Sequence, residues 1–71
     1  MFRPMDRSWL ETERKKHNKT QSELAEKAGV HVTRYNRIER GLIDPTLREA
    51  FLIAKALEFD VNLFDAEHAL E

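Results

Sequence analysis

The sequence predicts an all-α protein of about five short helices. No stretch alternates apolar and polar residues long enough for a strand, and β-branched residues are sparse. Only two glycines and two prolines punctuate the chain, and start signals of the Ser/Thr-x-x-Glu type recur along it. The first helix is predicted from Ser8, which with Glu11 spells a capping box, or two residues earlier from Asp6. It carries Leu10 and Arg14 inward and runs to about His17, where Asn18 takes the left-handed conformation that ends it. Thr20 and Glu23 form a second capping box for a helix with Leu24, Ala25 and Ala28 on one face, stopped at Gly29. The third helix spans about Val32 to Arg40 and is closed by Gly41. At 100° per residue, Tyr35, Ile38 and Glu39 lie on its inner side and Val32, Thr33, Asn36, Arg37 and Arg40 on its outer side. After the turn Asp44-Pro45-Thr46, Thr46 and Glu49 box a fourth helix carrying Leu47, Ala50, Ile53, Ala54 and Leu57 inward. Asp60 is expected to cap a last helix through Val61 and Phe64.

Length and composition narrow the function classes. Seventy-one residues are expected to form one domain, residues 1–71, with a flexible N-terminal arm over residues 1–5. Such a chain buries only about 60% of its unfolded surface, so its stability is expected to be marginal unless a second copy completes it. There is no cysteine, which removes disulfides, zinc ribbons and thiol chemistry. His17, His31 and His68 lack ligand spacing, so no metal and no cofactor is expected, and His17 and His68 read as surface residues. No apolar run approaches the 18 or so residues that span a bilayer, and Met1-Phe2-Arg3-Pro4-Met5 lacks a signal peptide's apolar stretch, so a cytoplasmic location without a membrane partner is expected. An enzyme is not expected: no Ser/His/Asp set, glycine-rich phosphate cradle or carboxylate pair is visible, and no small-molecule ligand is evident.

Taken as a total, the net charge of −1 argues against nucleic acid, yet the charge is segregated. Residues 1–40 hold ten Lys or Arg against six Asp or Glu, whereas residues 41–71 hold two against seven. The basic half contains residues 20–41, two short helices joined by a tight turn at Gly29, with Ala25 small enough to let them approach. That is the outline of a helix-turn-helix, whose second helix fits a DNA major groove about 12 Å wide.

The residues of this segment carry a family likeness. Thr20-Gln21, Glu23-Leu24-Ala25, Gly29-Val30, Arg37-Ile38-Glu39-Arg40-Gly41, and then Pro45, Ile53-Ala54 and Ala56-Leu57 resemble the lambda-repressor-like, Cro/CI-type (XRE) helix-turn-helix proteins over about residues 8–65. The resemblance implies a five-helix DNA-binding domain whose second and third helices form the helix-turn-helix. It implies base contacts from His31, Val32, Thr33 and Arg37, with Asn36 close by, and a phosphate contact from Gln21 at the start of the second helix. Lys19, Thr20, Arg34 and Arg40 flank these positions and are expected on phosphates. It further implies a structural ion pair between Arg14 and Glu39, both of which point inward by periodicity.

The sequence also departs from the family pattern. His31 stands where Ser or Thr commonly caps the recognition helix, and Val32 where Gln is common, so no relative's operator can be copied. Ala50 replaces a Leu, and Phe51 or Phe59 is expected to fill the volume. Leu52 and Leu63 fall off the main core stripe and are apolar where the family is usually polar. They are expected, with Phe59 and Leu70, to form a homodimer interface on the fourth and fifth helices. The expected function is a sequence-specific transcriptional regulator, a repressor on a pseudo-palindromic operator in double-stranded DNA. The alternative is the DNA-binding antitoxin of a toxin-antitoxin pair, with its acidic remainder gripping a protein partner.

Overall fold

The computed structural model describes residues 5–67 and is all-helical over them. Its helices are α1 (Ser8–Lys16), α2 (Gln21–Ala28), α3 (Val32–Glu39), α4 (Leu47–Leu57) and α5 (Leu63–Ala66). The five-helix expectation and the order of the elements agree with this architecture. Leu10, Leu24, Tyr35, Ile38, Ile53 and Leu57 have no exposed surface and form the centre of the core. Ala25, Ala28, Ala50 and Ala54 fill in around them and allow α2 to lie directly against α3 and α4. Trp9, Phe59 and Phe64 close the far end as an aromatic cluster, with Trp9 edge-on to Phe59 at 5.3 Å and to Phe64 at 5.1 Å.

Local signals explain most helix ends. Thr20 and Thr46 make full capping boxes, each accepting from the backbone N–H of Glu23 or Glu49 while that glutamate accepts from the threonine's own N–H. Gly29 and Gly41 adopt φ of +73° and +75°, and Asn18 ends α1 at +55°. At Gly41 a side chain is excluded twice over, because a Cβ there would run into the carbonyl of Met5. The Met5 N–H donates to the Gly41 carbonyl at 2.9 Å, so the segment entering α1 is laid across the end of α3. The expected arm therefore does not extend to Met5; residues 1–4 lie outside the described residues.

Four other expectations are corrected. Ser8 does not cap α1 and makes no box with Glu11: Ser8 is itself the first helical residue, and both its N–H and its hydroxyl bond to Asp6 Oδ1. Glu11 pairs instead with Lys15, one turn on. Leu47 is not in the core but 82% exposed, because it opens α4 and its side chain leans toward the N-terminus, beyond the helices that cover Ala50 and Ile53. Neither Phe51 nor Phe59 fills the space left by Ala50. Phe51 turns outward, Phe59 joins the aromatic cluster, and a hollow of about 330 Å³ lined by Arg7, Leu47, Ala50 and Phe64 remains. Asp60 bonds the Asn62 N–H, but α5 itself starts without a side-chain cap.

A buried arginine that nothing local announces ties the ends of the domain together. Arg7 is 2% exposed and spends all five donors. Nε and NH2 fork onto the Glu67 carboxylate at 2.7 and 2.8 Å, NH2 also reaches Asp44 at 2.8 Å, and NH1 donates to the carbonyls of Ile38 and Ile43 at 2.9 Å. Trp9 adds its indole N–H to Glu67, and the guanidinium lies 5.5 Å from the centre of the Phe64 ring. Burial opposes the charge on Arg7, but the hydrogen bonds it donates to Glu67 and Asp44, with their negative charges, outweigh it and hold the guanidinium more firmly protonated than usual.

Candidate nucleic-acid interface

α2, the Gly29 turn and α3 form a helix-turn-helix. Val30 returns its N–H to the Ala25 carbonyl at 2.9 Å, which turns the chain directly from one helix into the next. His31 then caps α3: its Nδ1 accepts from the Thr33 N–H at 3.0 Å. The imidazole thus supplies the acceptor that Ser or Thr would have given, and in its neutral form it carries the hydrogen on Nε2, available as a donor at the mouth of the helix. Tyr35, Ile38 and Glu39 face the core, while Thr33, Arg37 and Arg40 are exposed and Val32 and Asn36 half-buried beside them. The two faces of α3 separate as the periodicity predicts.

Arg14 and Glu39 form the predicted ion pair. Arg14 Nε donates to both carboxylate oxygens, at 3.0 and 3.1 Å, and NH1 reaches the Lys19 carbonyl at 2.9 Å. Only 12% and 3% of the two side chains are exposed, so each charge depends on the other. Glu39 also receives the amide of Gln21, Nε2 to Oε2 at 3.0 Å, and the Gln21 carbonyl accepts from Asn36 Nδ2 at 3.2 Å. Gln21 is therefore held against α3 at the first position of α2, bordering one shallow hollow with Lys19, Thr20, Ser22 and Val32 and another with Met5, Ser8 and Arg40. Above the ion pair the Tyr35 hydroxyl is buried without a hydrogen-bond partner; burial and then the nearby Glu39 charge raise its pKa well above the ordinary phenol value.

Arg34, expected on a phosphate, has a carboxylate partner within the domain. Its Nε and NH2 grip both oxygens of Glu49, at 2.8 and 2.9 Å, so the fork expected on a phosphate is occupied within the domain. That contact, against partial desolvation and helped by the Thr46 N–H, holds the Glu49 carboxyl down to about 2. The segregated charge is thus partly cancelled in space: Arg7 and Arg34, from the basic half, neutralise Glu67, Asp44 and Glu49 of the acidic half. Among the described residues, Lys19, Arg37 and Arg40 have no carboxylate partner. These three flank the outer face of α3.

Of the residues expected at a dimer contact, Leu63 is 40% exposed, Leu52 is half-buried, Phe59 belongs to the aromatic cluster and Leu70 lies outside the described residues. The apolar surface that periodicity missed is Leu47 and Phe51, 82% and 59% exposed and one turn apart on α4. Among the described residues no group of His, Asp and Glu is arranged to hold a metal, and no helix is long and apolar enough to cross a membrane.

Comparison with known proteins places this geometry in a family. A helix-turn-helix family model matches residues 10–64, which runs from α1 into α5. The cryptic phage CTXphi transcriptional repressor RstR of Vibrio cholerae is 38% identical over 53 residues, which is 75% of this chain and 47% of that protein. The chain thus spans about half the length of the curated relative it matches. With its five-helix core, its Gly29 turn and its Arg14–Glu39 pair in place, the chain belongs to the XRE-type helix-turn-helix family.

Proposed function

We propose that this protein is a sequence-specific DNA-binding transcriptional regulator that represses by occupying a pseudo-palindromic operator as a homodimer. The observation that carries the reading is the outer face of α3, where Arg37 and Arg40, without a carboxylate partner, accompany Val32, Thr33 and Asn36 while the inward Glu39 is held by Arg14 and Gln21. Membership of the family and the likeness to a phage repressor support the same reading. Arg37 has the forked donors for O6 and N7 of a guanine, a contact worth roughly 1–3 kcal/mol of discrimination. Val32 and the Thr33 methyl pack on thymine methyl groups, and His31 offers its Nε2 donor to a base edge at the start of the helix. Lys19, Thr20, Gln21 and Arg40 border the hollows on either side and take phosphates; Arg34 is left out, since Glu49 holds its fork.

A second copy places two recognition helices about 34 Å apart, one turn of DNA. Exposed Leu47, Phe51 and Leu63 are the apolar surface available for that contact, which moves its weight from the half-buried Leu52 toward the start of α4. Selecting bound sites from random duplexes tests the function. A palindromic consensus is expected; Arg37→Ala then loses preference at one base pair per half-site, whereas Arg40→Ala weakens every sequence about equally. If both variants bind the selected site as wild type does, α3 is not the DNA face.

A further inference from the structure

We infer that Asn36 reads the exocyclic amino group of one base, and that the chain Arg14–Glu39–Gln21 fixes which end of its amide faces the DNA. The inference rests on the proposed operator-binding role and adds to it a residue whose polarity is dictated from inside the domain. An asparagine or glutamine amide presents a donor and an acceptor of nearly the same shape, so its orientation follows its partners. Here the partners leave one choice. Arg14 has only donors, and it holds Glu39 by Nε at 3.0 and 3.1 Å. The Glu39 carboxylate has only acceptors, so Gln21 must turn its NH2 toward it, and does so at 3.0 Å. That leaves the Gln21 carbonyl toward α3, where Asn36 must answer with its NH2, at 3.2 Å. One hydrogen of the Asn36 NH2 is thereby spent, and Asn36 Oδ1, which accepts from nothing among the described residues, is the acceptor free for the groove.

Asn36 sits half-buried on the outer side of α3, one turn beyond Val32 and Thr33 and next to Arg37. Val32 has no polar group with which to engage Gln21, which is why the amide is answered from Asn36. An outward carbonyl accepts from N6 of adenine or N4 of cytosine and repels the O6 of guanine or O4 of thymine. A single neutral hydrogen bond of this kind corresponds to roughly a fivefold preference.

The test uses the full chain on its own selected duplex. The base pair whose preference disappears in Asn36→Ala is identified, and its amino group is deleted by placing purine for adenine or 2-pyrimidinone for cytosine. The deletion is expected to weaken wild type about fivefold and to leave Asn36→Ala unchanged. In Glu39→Gln the new amide gives its carbonyl to Arg14 and its NH2 to Gln21, so both following amides turn over and Asn36 offers a donor. That variant is expected to ignore the deletion and to prefer the pair with amino and carbonyl groups exchanged between the strands. A wild type indifferent to the deletion, or an Asn36→Ala variant weakened by the same factor, overturns the inference, as does a folded Glu39→Gln that keeps the wild-type preference. If Glu39→Gln does not fold, the deletion measured on wild type and Asn36→Ala decides alone. A wild type that selects no site at all refutes the regulator reading, and this inference with it.

Discussion

Replacing Arg7 with methionine keeps a long apolar stem in the site and removes five hydrogen-bond donors. Of the two carbonyls left behind, that of Ile38 keeps the Gly41 N–H at 3.0 Å, whereas that of Ile43 costs about 1–3 kcal/mol if it stays unpaired and out of water. Asp44 is 65% exposed and rehydrates readily, but Glu67 is only 3% exposed and loses its counter-charge. Removing one member of such a buried pair costs about 3–5 kcal/mol. A domain of 71 residues has a total stability of about 4–10 kcal/mol at the usual 0.05–0.15 kcal/mol per residue, so Arg7→Met removes a large share of it. Urea unfolding followed by circular dichroism reads this directly. With a slope of about 1 kcal/mol/M, the midpoint is expected to fall by about 3 M or more. Glu67→Gln on its own is also destabilising, but adding it to Arg7→Met costs little further, since the partner is already gone. A midpoint within about 1 M of wild type, or strictly additive effects, refutes the claim that this cluster clamps the domain.

The Glu49 carboxyl sits at about 2 in the folded chain against an ordinary 4.5, so the folded state binds fewer protons than the unfolded one between those values. Its contribution, about 1–2 kcal/mol once the partly exposed Arg34 is allowed for, is fully present above pH 4.5 and is lost as pH falls toward 2; Glu49→Gln lacks this component in unfolding curves measured across the range. Gly29→Ala, with open space around the new Cβ but φ of +73°, is expected to cost about 1–2 kcal/mol. Gly41→Ala is expected to cost more, because the Met5 segment must also move; equal melting temperatures for the two variants would contradict that. Leu47→Glu with Phe51→Glu is expected to leave the monomer fold intact and shift sedimentation from dimer to monomer, with weaker operator binding; an unchanged sedimentation coefficient removes these residues from the contact.

What the sequence revealed was set by interactions a few residues long. The Thr20 and Thr46 boxes, the left-handed Asn18, Gly29 and Gly41, and the inward phase of Tyr35, Ile38 and Glu39 all follow from local geometry, and all are found in the structure. The Arg14–Glu39 pair, 25 residues apart in sequence, was legible because both phases point inward and the family resemblance implies it. The remaining pairings had no such guide. Arg7 and Glu67 are 60 residues apart, and neither belongs to a periodic face. Arg34 lies on a helix edge that looks free in sequence, and only the packing of α3 and α4 on the common α2 brings it to Glu49, a residue whose capping duty was visible while its second partner was not. Leu47 misled for a geometric reason: heptad-like spacing counts positions along a helix, whereas burial also needs a neighbour at that level of the axis. The charge count was similarly incomplete. The basic excess of residues 1–40 is partly consumed inside the domain, and among the described residues of that stretch Lys19, Lys27, Arg37 and Arg40 keep no carboxylate partner, of which Lys19, Arg37 and Arg40 lie by the outer face of α3.

The central claim is that DNA docks on the outer face of α3 and the start of α2. It is tested most directly by titrating isotope-labelled protein with its selected duplex and following each amide and side-chain resonance. The largest changes are expected at His31, Thr33, Asn36 and Arg37, with smaller ones at Gln21 and Arg40, weakening steeply with salt at about −0.9 in log–log slope per phosphate neutralised. Changes concentrated on α4 and α5, with α3 unmoved, would contradict it.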